Sequence, residues 1–234
     1  MTLASSAMTS FKEKLEHVQS VIERAAAKSG RSLKDITLVA VTKGAGVEKI
    51  LEAVEAGVQI FGENRIQEAE TKIPATQNSN LQWHMVGHLQ SNKVKTALNL
   101  FSLIQSVDSV RLAKHISDAA LAENKTAAVL LEVNISGESQ KYGFKPEEVY
   151  NAIDAVAAMP AIQVQGLMGI APNAPDLEAR RAAFKKLKGI FSVCKTLKHN
   201  SVQMKVLSMG MSDDFEAAVE EGATMVRLGR VLFR

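Results

Sequence analysis

The 234-residue chain has a single cysteine, Cys194, so it can form no internal disulfide, and a reducing, cytoplasmic setting is expected. It has no apolar run near the roughly 20 residues that a membrane span needs. Its opening, MTLASSAMTSFKEK, runs into charge without a long apolar core, so no secretory leader is expected. An excess of one charge is also missing. The 28 basic and 25 acidic residues are interspersed and sum to +3, which gives little reason to expect nucleic acid or a membrane as partner. No linker, low-complexity block or charge run divides the chain, so the expectation is a disordered tail over 1–8 and one domain over 9–234.

What the sequence does have is alternation. After an opening helix over Ser10–Ser29, strand-like runs are predicted at Ile36–Lys43, Gln59–Asn64, Gln82–Gly87, Leu103–Asp108, Ala127–Ser136, Ile162–Ala171, Met204–Met209 and Met225–Arg230. Amphipathic helical patterns separate them. In VEKILEAVEAG, Ile50, Leu51, Val54 and Val58 recur at helical spacing, and Gly57 is placed to end the helix. Strict strand–helix alternation points to parallel strands with helical crossovers. Eight units at this length predict an α/β fold, a single (β/α)8 TIM barrel, with an open doubly wound sheet as the competitor.

In such a barrel the C-terminal ends of all strands share one face, where barrel active sites form. The first strand ends in Lys43. The others end near Asn64, His84, Asp108, Asn134, Gly166–Gly169, Ser208 and Arg227, mostly polar or small residues. A lysine at the mouth of an apolar barrel either snorkels to solvent from its strand end, the reading that position alone favours, or is partly desolvated, which favours the neutral amine that attacks aldehydes. LSMGMSDD and RLGR bring Ser208, Gly210, Ser212, Arg227, Gly229 and Arg230 to the loops after strands seven and eight, a common phosphate site in barrels. Turn formation explains the glycines equally well, and Ser212 is placed to cap the next helix. A lysine that seeks an aldehyde and a phosphate cradle on one face together suggest pyridoxal 5′-phosphate.

The motifs LVAVTK, FGENRIQEA, WHMVGHLQSNK, LEVNISGESQKYGF, GLMGIAP and LSMGMSDDFEAAVEEGATMVRLGRVLF resemble, in order, those of the YggS/PROSC family of pyridoxal phosphate homeostasis proteins. The resemblance runs from about residue 10 to the end. It implies a fold-type III barrel like the N-terminal domain of alanine racemase, with the cofactor held as a lysine aldimine for buffering or for delivery to apo enzymes. It implies that Lys43 is the Schiff-base lysine, that Asn64 lies beside the cofactor ring, and that Ser208, Gly229 and Arg230 form the phosphate cup. By the same resemblance Arg227 faces the pyridine nitrogen, His84 is a pocket wall, and Lys141 is a second lysine that influences release. The chain departs from the family pattern in the glycine-rich KGAG after Lys43, in Arg230 where a small polar residue is usual, and in stopping at LFR.

The alternative function is an amino-acid racemase. Racemisation needs a base on each face of the substrate carbanion, and the chain has only Tyr142 and Tyr150 as tyrosines, with no length left for a second domain. An arginine at the ring nitrogen also weakens the electron sink. A homeostasis protein without efficient catalysis, and a monomer, is therefore the expectation. A pure interaction protein leaves Lys43 and the phosphate cup unexplained. GAGVEK places Lys49 where a dinucleotide fingerprint needs its third glycine. His84 and His88 lie four apart on a strand end and loop with no cysteine or carboxylate in the local sequence to complete a zinc set, so no metal is expected. His17, His115 and His199 fall in helical segments and are read as solvated.

Overall fold

The computed structural model describes residues 10–138, 140–174 and 176–234. The expected tail over 1–8 lies outside the described residues. Helix α1 (Phe11–Lys28) begins where the sequence provides a reciprocal cap. The Glu13 N–H donates to the Ser10 hydroxyl at 3.2 Å, and the Ser10 N–H donates to the Glu13 carboxylate at 2.8 Å. Leu15, Val18, Ile22, Ala25 and Ala26 recur at helical spacing and are buried, each large side chain contributing about 1.5–3 kcal/mol relative to exposure.

Eight parallel strands close into a barrel in chain order: β1 (Thr37–Val41), β2 (Ile60–Glu63), β3 (Gln82–Met85), β4 (Leu103–Val107), β5 (Ala127–Val133), β6 (Ile162–Gly169), β7 (Val202–Ser208) and β8 (Met225–Leu228). The last strand closes on the first, with Thr37 beside Met225 and Ala40 beside Leu228. Between them run α2 (Val47–Glu55), α3 (Ile66–Ala75), α4 (Val94–Leu100), α5 (Val110–Ala122), α6 (Val149–Ala157), α7 (Leu177–Cys194) and α8 (Phe215–Glu220), and α9 (Arg230–Phe233) follows β8. The closed ring excludes the open doubly wound sheet.

All eight strands lie where the sequence placed them, but each ends one to three residues earlier at the C-terminal side. At the barrel top the chain must turn outward to reach its helix, so Thr42, Lys43, Asn64 and Gly229 leave the ladder and become loop. Two local expectations also change. In α2, Leu51 is exposed and Ala53 takes the buried place on that face. Ser212 does not cap α8, whose N-cap is Asp214; its hydroxyl instead accepts from the Val231 N–H at 3.3 Å. Gly57 does end α2, at φ +95, with the Val58 N–H reaching back to the Ala53 carbonyl.

Strand side chains alternate, so every second residue points into the barrel. Val39, Leu103, Leu130, Met168 and Met225 fill its middle as a cluster separate from the larger core between sheet and helices. Two residues further along four of these strands stand Val41, Gln105, Glu132 and Arg227, which begin the site.

Candidate functional site

Above the apolar plug, polar side chains form a hydrogen-bonded belt inside the barrel. The Gln105 amide donates to His84 Nδ1 at 3.0 Å and to the Met225 sulfur at 3.2 Å. The Ser208 hydroxyl donates to the Gln105 carbonyl at 2.7 Å and accepts from the Arg227 guanidinium at 2.6 Å. Arg227 also donates to the Gly169 carbonyl at 3.0 Å. Burial holds the His84 pKa down at about 4, so the ring is a neutral acceptor at neutral pH. Burial lowers Arg227 to about 10, with the Glu132 and Asp214 charges opposing, which leaves it a cation at neutral pH.

Over this belt opens a cavity of about 340 Å³. Its wall includes Val41, Lys43, Asn64, Ser212, Arg227, Gly229 and Arg230. Of the expected site residues, Lys43, Asn64, Arg227, Gly229 and Arg230 therefore meet in one place. Ser208 and His84 lie in the buried belt and are absent from that wall, while Ser212, read in the sequence as a cap, is on it. Among the described residues, the backbone N–H groups of Ser212, Gly229 and Arg230 donate to no protein acceptor. The Arg230 guanidinium pairs with Asp213 at the rim, where both are more than half exposed.

Lys43 itself is exposed, as a lysine that snorkels from its strand end would be, and is not desolvated by the barrel. Its position is set from below. Glu63, fully buried, accepts from the Thr42 hydroxyl at 2.5 Å and from the Asn64 N–H at 3.0 Å. Lys72, reaching up from α3, meets Glu63 at 2.5 Å, Glu68 at 2.7 Å and the Thr42 carbonyl at 2.8 Å. The peptide that precedes Lys43 and the one that enters Asn64 are thus tied to one buried ion pair. Gly87 packs so closely on Asn64 that a Cβ would come within 2.3 Å of the Asn64 carbonyl oxygen, so only glycine fits there.

Residues 14–234 match the family model described as alanine racemase, N-terminal domain. The chain belongs to that family. A pyridoxal phosphate homeostasis protein of Vibrio cholerae is 36% identical over 230 residues, covering 97% of this chain and 96% of that one. The structure of PipY from Synechococcus elongatus with PLP bound is 32% identical, with a TM-score of 0.79, covering 92% of this chain and all of that one. Alanine racemase of Clostridium difficile shares the fold at 17% identity and a TM-score of 0.71, with the present chain spanning 55% of its length. The racemase-like barrel is thus shared by proteins of this length and by the larger enzymes.

Within this family barrel, Lys141 stands apart from the first cavity. It lines a second one, of about 270 Å³, with Glu132, Asn134, Tyr142 and Ile170, and pairs with Glu138 at 2.6 Å. His88 has a carboxylate neighbour that its local sequence does not show: Nδ1 is 3.0 Å from Asp108, and the ring stacks on Tyr142 at 3.9 Å. Among the described residues no three histidine, cysteine or acidic side chains group as a metal site. His17 and His115 are exposed, and His199 meets Asp154 at 2.8 Å. Among the described residues, no helix is long and apolar enough to cross a membrane.

The sequence reading passed over Gln105, Glu132 and Lys72. Each had a signal. Gln105 and Glu132 are polar residues inside the apolar runs LIQSV and AAVLLEV, and at strand period two they share a face with Leu103 and Leu130. Lys72 follows Glu68 by four on a helix, a spacing usually met at surfaces.

Proposed function

We propose that this chain binds pyridoxal 5′-phosphate in the first cavity, with Lys43 as the covalent anchor, and serves intracellular homeostasis of that cofactor by holding and handing it on. The observation that carries the reading is that an accessible amine, three unengaged backbone donors and a buried arginine line one cavity. The donor chemistry fits the group. Unpaired N–H groups of Ser212, Gly229 and Arg230, with the Ser212 hydroxyl, suit a phosphate dianion. The volume is within the range of small-ligand pockets. When bound, the cofactor supplies an electrophilic aldehyde to amines.

The residues of the chain account for holding it. Lys43 presents its amine from a turn fixed by Glu63 and Lys72, Asn64 lines the same cavity from the loop after β2, and Arg227 offers hydrogen bonds from a guanidinium that keeps its proton. Arg230 stands at the rim, where Asp213 balances its charge. Ser208 and His84 act one layer below, Ser208 by accepting from Arg227 directly and His84 by holding Gln105, which accepts from Ser208. Lys141 belongs to the neighbouring cavity and is a candidate to receive the group only on its way out.

Carriage rather than efficient racemisation is supported by what the wall contains. Among the described residues, neither tyrosine lines the first cavity: Tyr142 stacks on His88, and Tyr150 packs on the outer core. A monomer in the cytoplasm, one domain over 9–234 and apo enzymes as recipients complete the proposal. Burial raises the Cys194 thiol to about 11, so it stays protonated and suits a reducing compartment. The test is loading with pyridoxal phosphate, borohydride reduction and peptide mapping. The expected adduct is on Lys43, and an adduct confined to Lys141 refutes the assignment.

A further inference from the structure

The second cavity lies between the loop after β5 and the barrel top, and shares Ile170 with the first, so the two have a common wall. Most of its polar lining is already engaged. The Asn134 amide donates to the Glu138 and Lys141 carbonyls, and its oxygen accepts from Ser136. Lys141 is ion-paired with Glu138. Glu132 differs. It is only 8% exposed, points into the barrel from β5 and lines the cavity, yet among the described residues its carboxyl has neither a hydrogen-bond donor nor an ion-pair partner within 4.0 Å. A largely buried carboxylate that opens on a cavity without a protein donor favours a ligand that brings one.

The rest of the lining narrows the ligand. Calcium and magnesium take six or more oxygen ligands and zinc about four, and no metal-type cluster occurs among the described residues. The walls around Glu132 are Val133, Ile170 and the Tyr142 ring. One anionic group in an apolar chamber suits one cation on an apolar body. We propose that Glu132 anchors the ammonium group of a small primary amine with an apolar body, seated beside the first cavity as the recipient in cofactor exchange. The recipient role rests on reading the first cavity as the cofactor site; the amine site does not.

The charges facing Glu132 set when it binds. Burial pushes its carboxyl up to about 7, Arg227 on β8 opposes that, and Asp108 at the end of β4 reinforces it. His84 on β3 is neutral, and Lys141 and Glu138 on the loop neutralise each other. Glu132 is therefore a carboxylate above pH 7, where an alkylamine is still protonated up to about pH 10.

The probe is n-butylamine, with n-butanol as the uncharged counterpart, followed by the NMR shift of the Ile170 methyl. The protein is used as purified and after borohydride treatment, so that the amine binds without reacting. At pH 8 butylamine should bind wild type at least tenfold more tightly than Glu132→Gln, and butanol should bind both alike. Equal butylamine affinity in the two proteins overturns the proposal. Should Glu132→Gln not fold, wild type decides: affinity that does not fall between pH 8 and pH 5.5 overturns it as well. Protein that takes up no pyridoxal phosphate but shows Glu132-dependent butylamine binding refutes the cofactor reading and keeps the amine site. Cofactor uptake without Glu132 dependence does the reverse.

Discussion

Glu63 and Lys72 meet at 2.5 Å beneath the turn that carries Lys43, with the Glu63 side chain fully buried and that of Lys72 only 10% exposed. Removing one partner strands a charge. Lys72→Met should cost about 3–5 kcal/mol, because Glu63 then stays buried without a cation. Adding Glu63→Gln should recover most of the loss, since the amide still reaches Thr42. Urea unfolding of both variants measures this, and a double variant no better than the single one refutes it.

Ser208 and Ser212 should separate stability from retention. Ser208→Ala leaves the Gln105 carbonyl and one Arg227 donor unpaired inside the barrel, a loss of about 1–3 kcal/mol in unfolding free energy. Ser212→Ala removes a hydroxyl at the cavity wall. It should speed the loss of pyridoxal phosphate on dialysis about tenfold or more, the size of a charge-assisted hydrogen bond of about 1.5–3 kcal/mol. The opposite ranking for retention would move the phosphate to Ser208.

Two buried groups in the belt titrate against each other. Glu132 is raised from 4.5 to about 7, so the folded state binds the extra proton, and its contribution to stability falls as pH rises through that window. His84 is lowered from 6.5 to about 4, so the unfolded state binds the extra proton, and its contribution rises with pH between those values. Each spans on the order of 3 kcal/mol, and the windows overlap with opposite sign. Glu132→Gln should gain relative to wild type as pH rises from 4.5 to 7, then hold a constant advantage. Unfolding free energies of the two proteins at pH 5 and pH 8 test the sign.

Carriage without turnover predicts slow hydrogen exchange at substrate carbon. With alanine in deuterium oxide and the protein loaded with pyridoxal phosphate, exchange at Cα followed by NMR should remain far below about 1 per second, the lower end of common enzyme turnover. Exchange within the enzymic range would restore the racemase.

Strand–helix alternation made the barrel legible, and motif resemblance brought five expected residues into one cavity. What stayed hidden depends on orientation. Whether Ser208 or Ser212 faces the cavity follows from where β7 leaves the ladder, and that is set by its neighbours, not by LSMGMS alone. Between Ile104 and Val107 the register against β5 shifts, so the inward face of β4 does not extrapolate along the strand. Lys72 looked like a surface charge because its partner, Glu63, lies on a strand end. Of the two readings of Lys43 the exposed one holds, because β1 ends at Val41 and leaves the lysine on the turn beyond it.

Thr37 beside Met225 means that the first strand is finished by the last. Helix α1 waits in the same way, since the Phe11 ring packs tilted on Phe233, centroids 5.3 Å apart, and Lys14 donates to the Arg234 carbonyl. A nascent chain leaving the ribosome must therefore carry an unpaired β1 edge until β8 has been made, the exposure that long-range topologies impose. The first cavity takes Lys43 from one end of the chain and Gly229 from the other, so it exists only once the ring has closed. In refolding, the visible absorbance of captured pyridoxal phosphate would then mark ring closure and lag behind the helical circular dichroism signal.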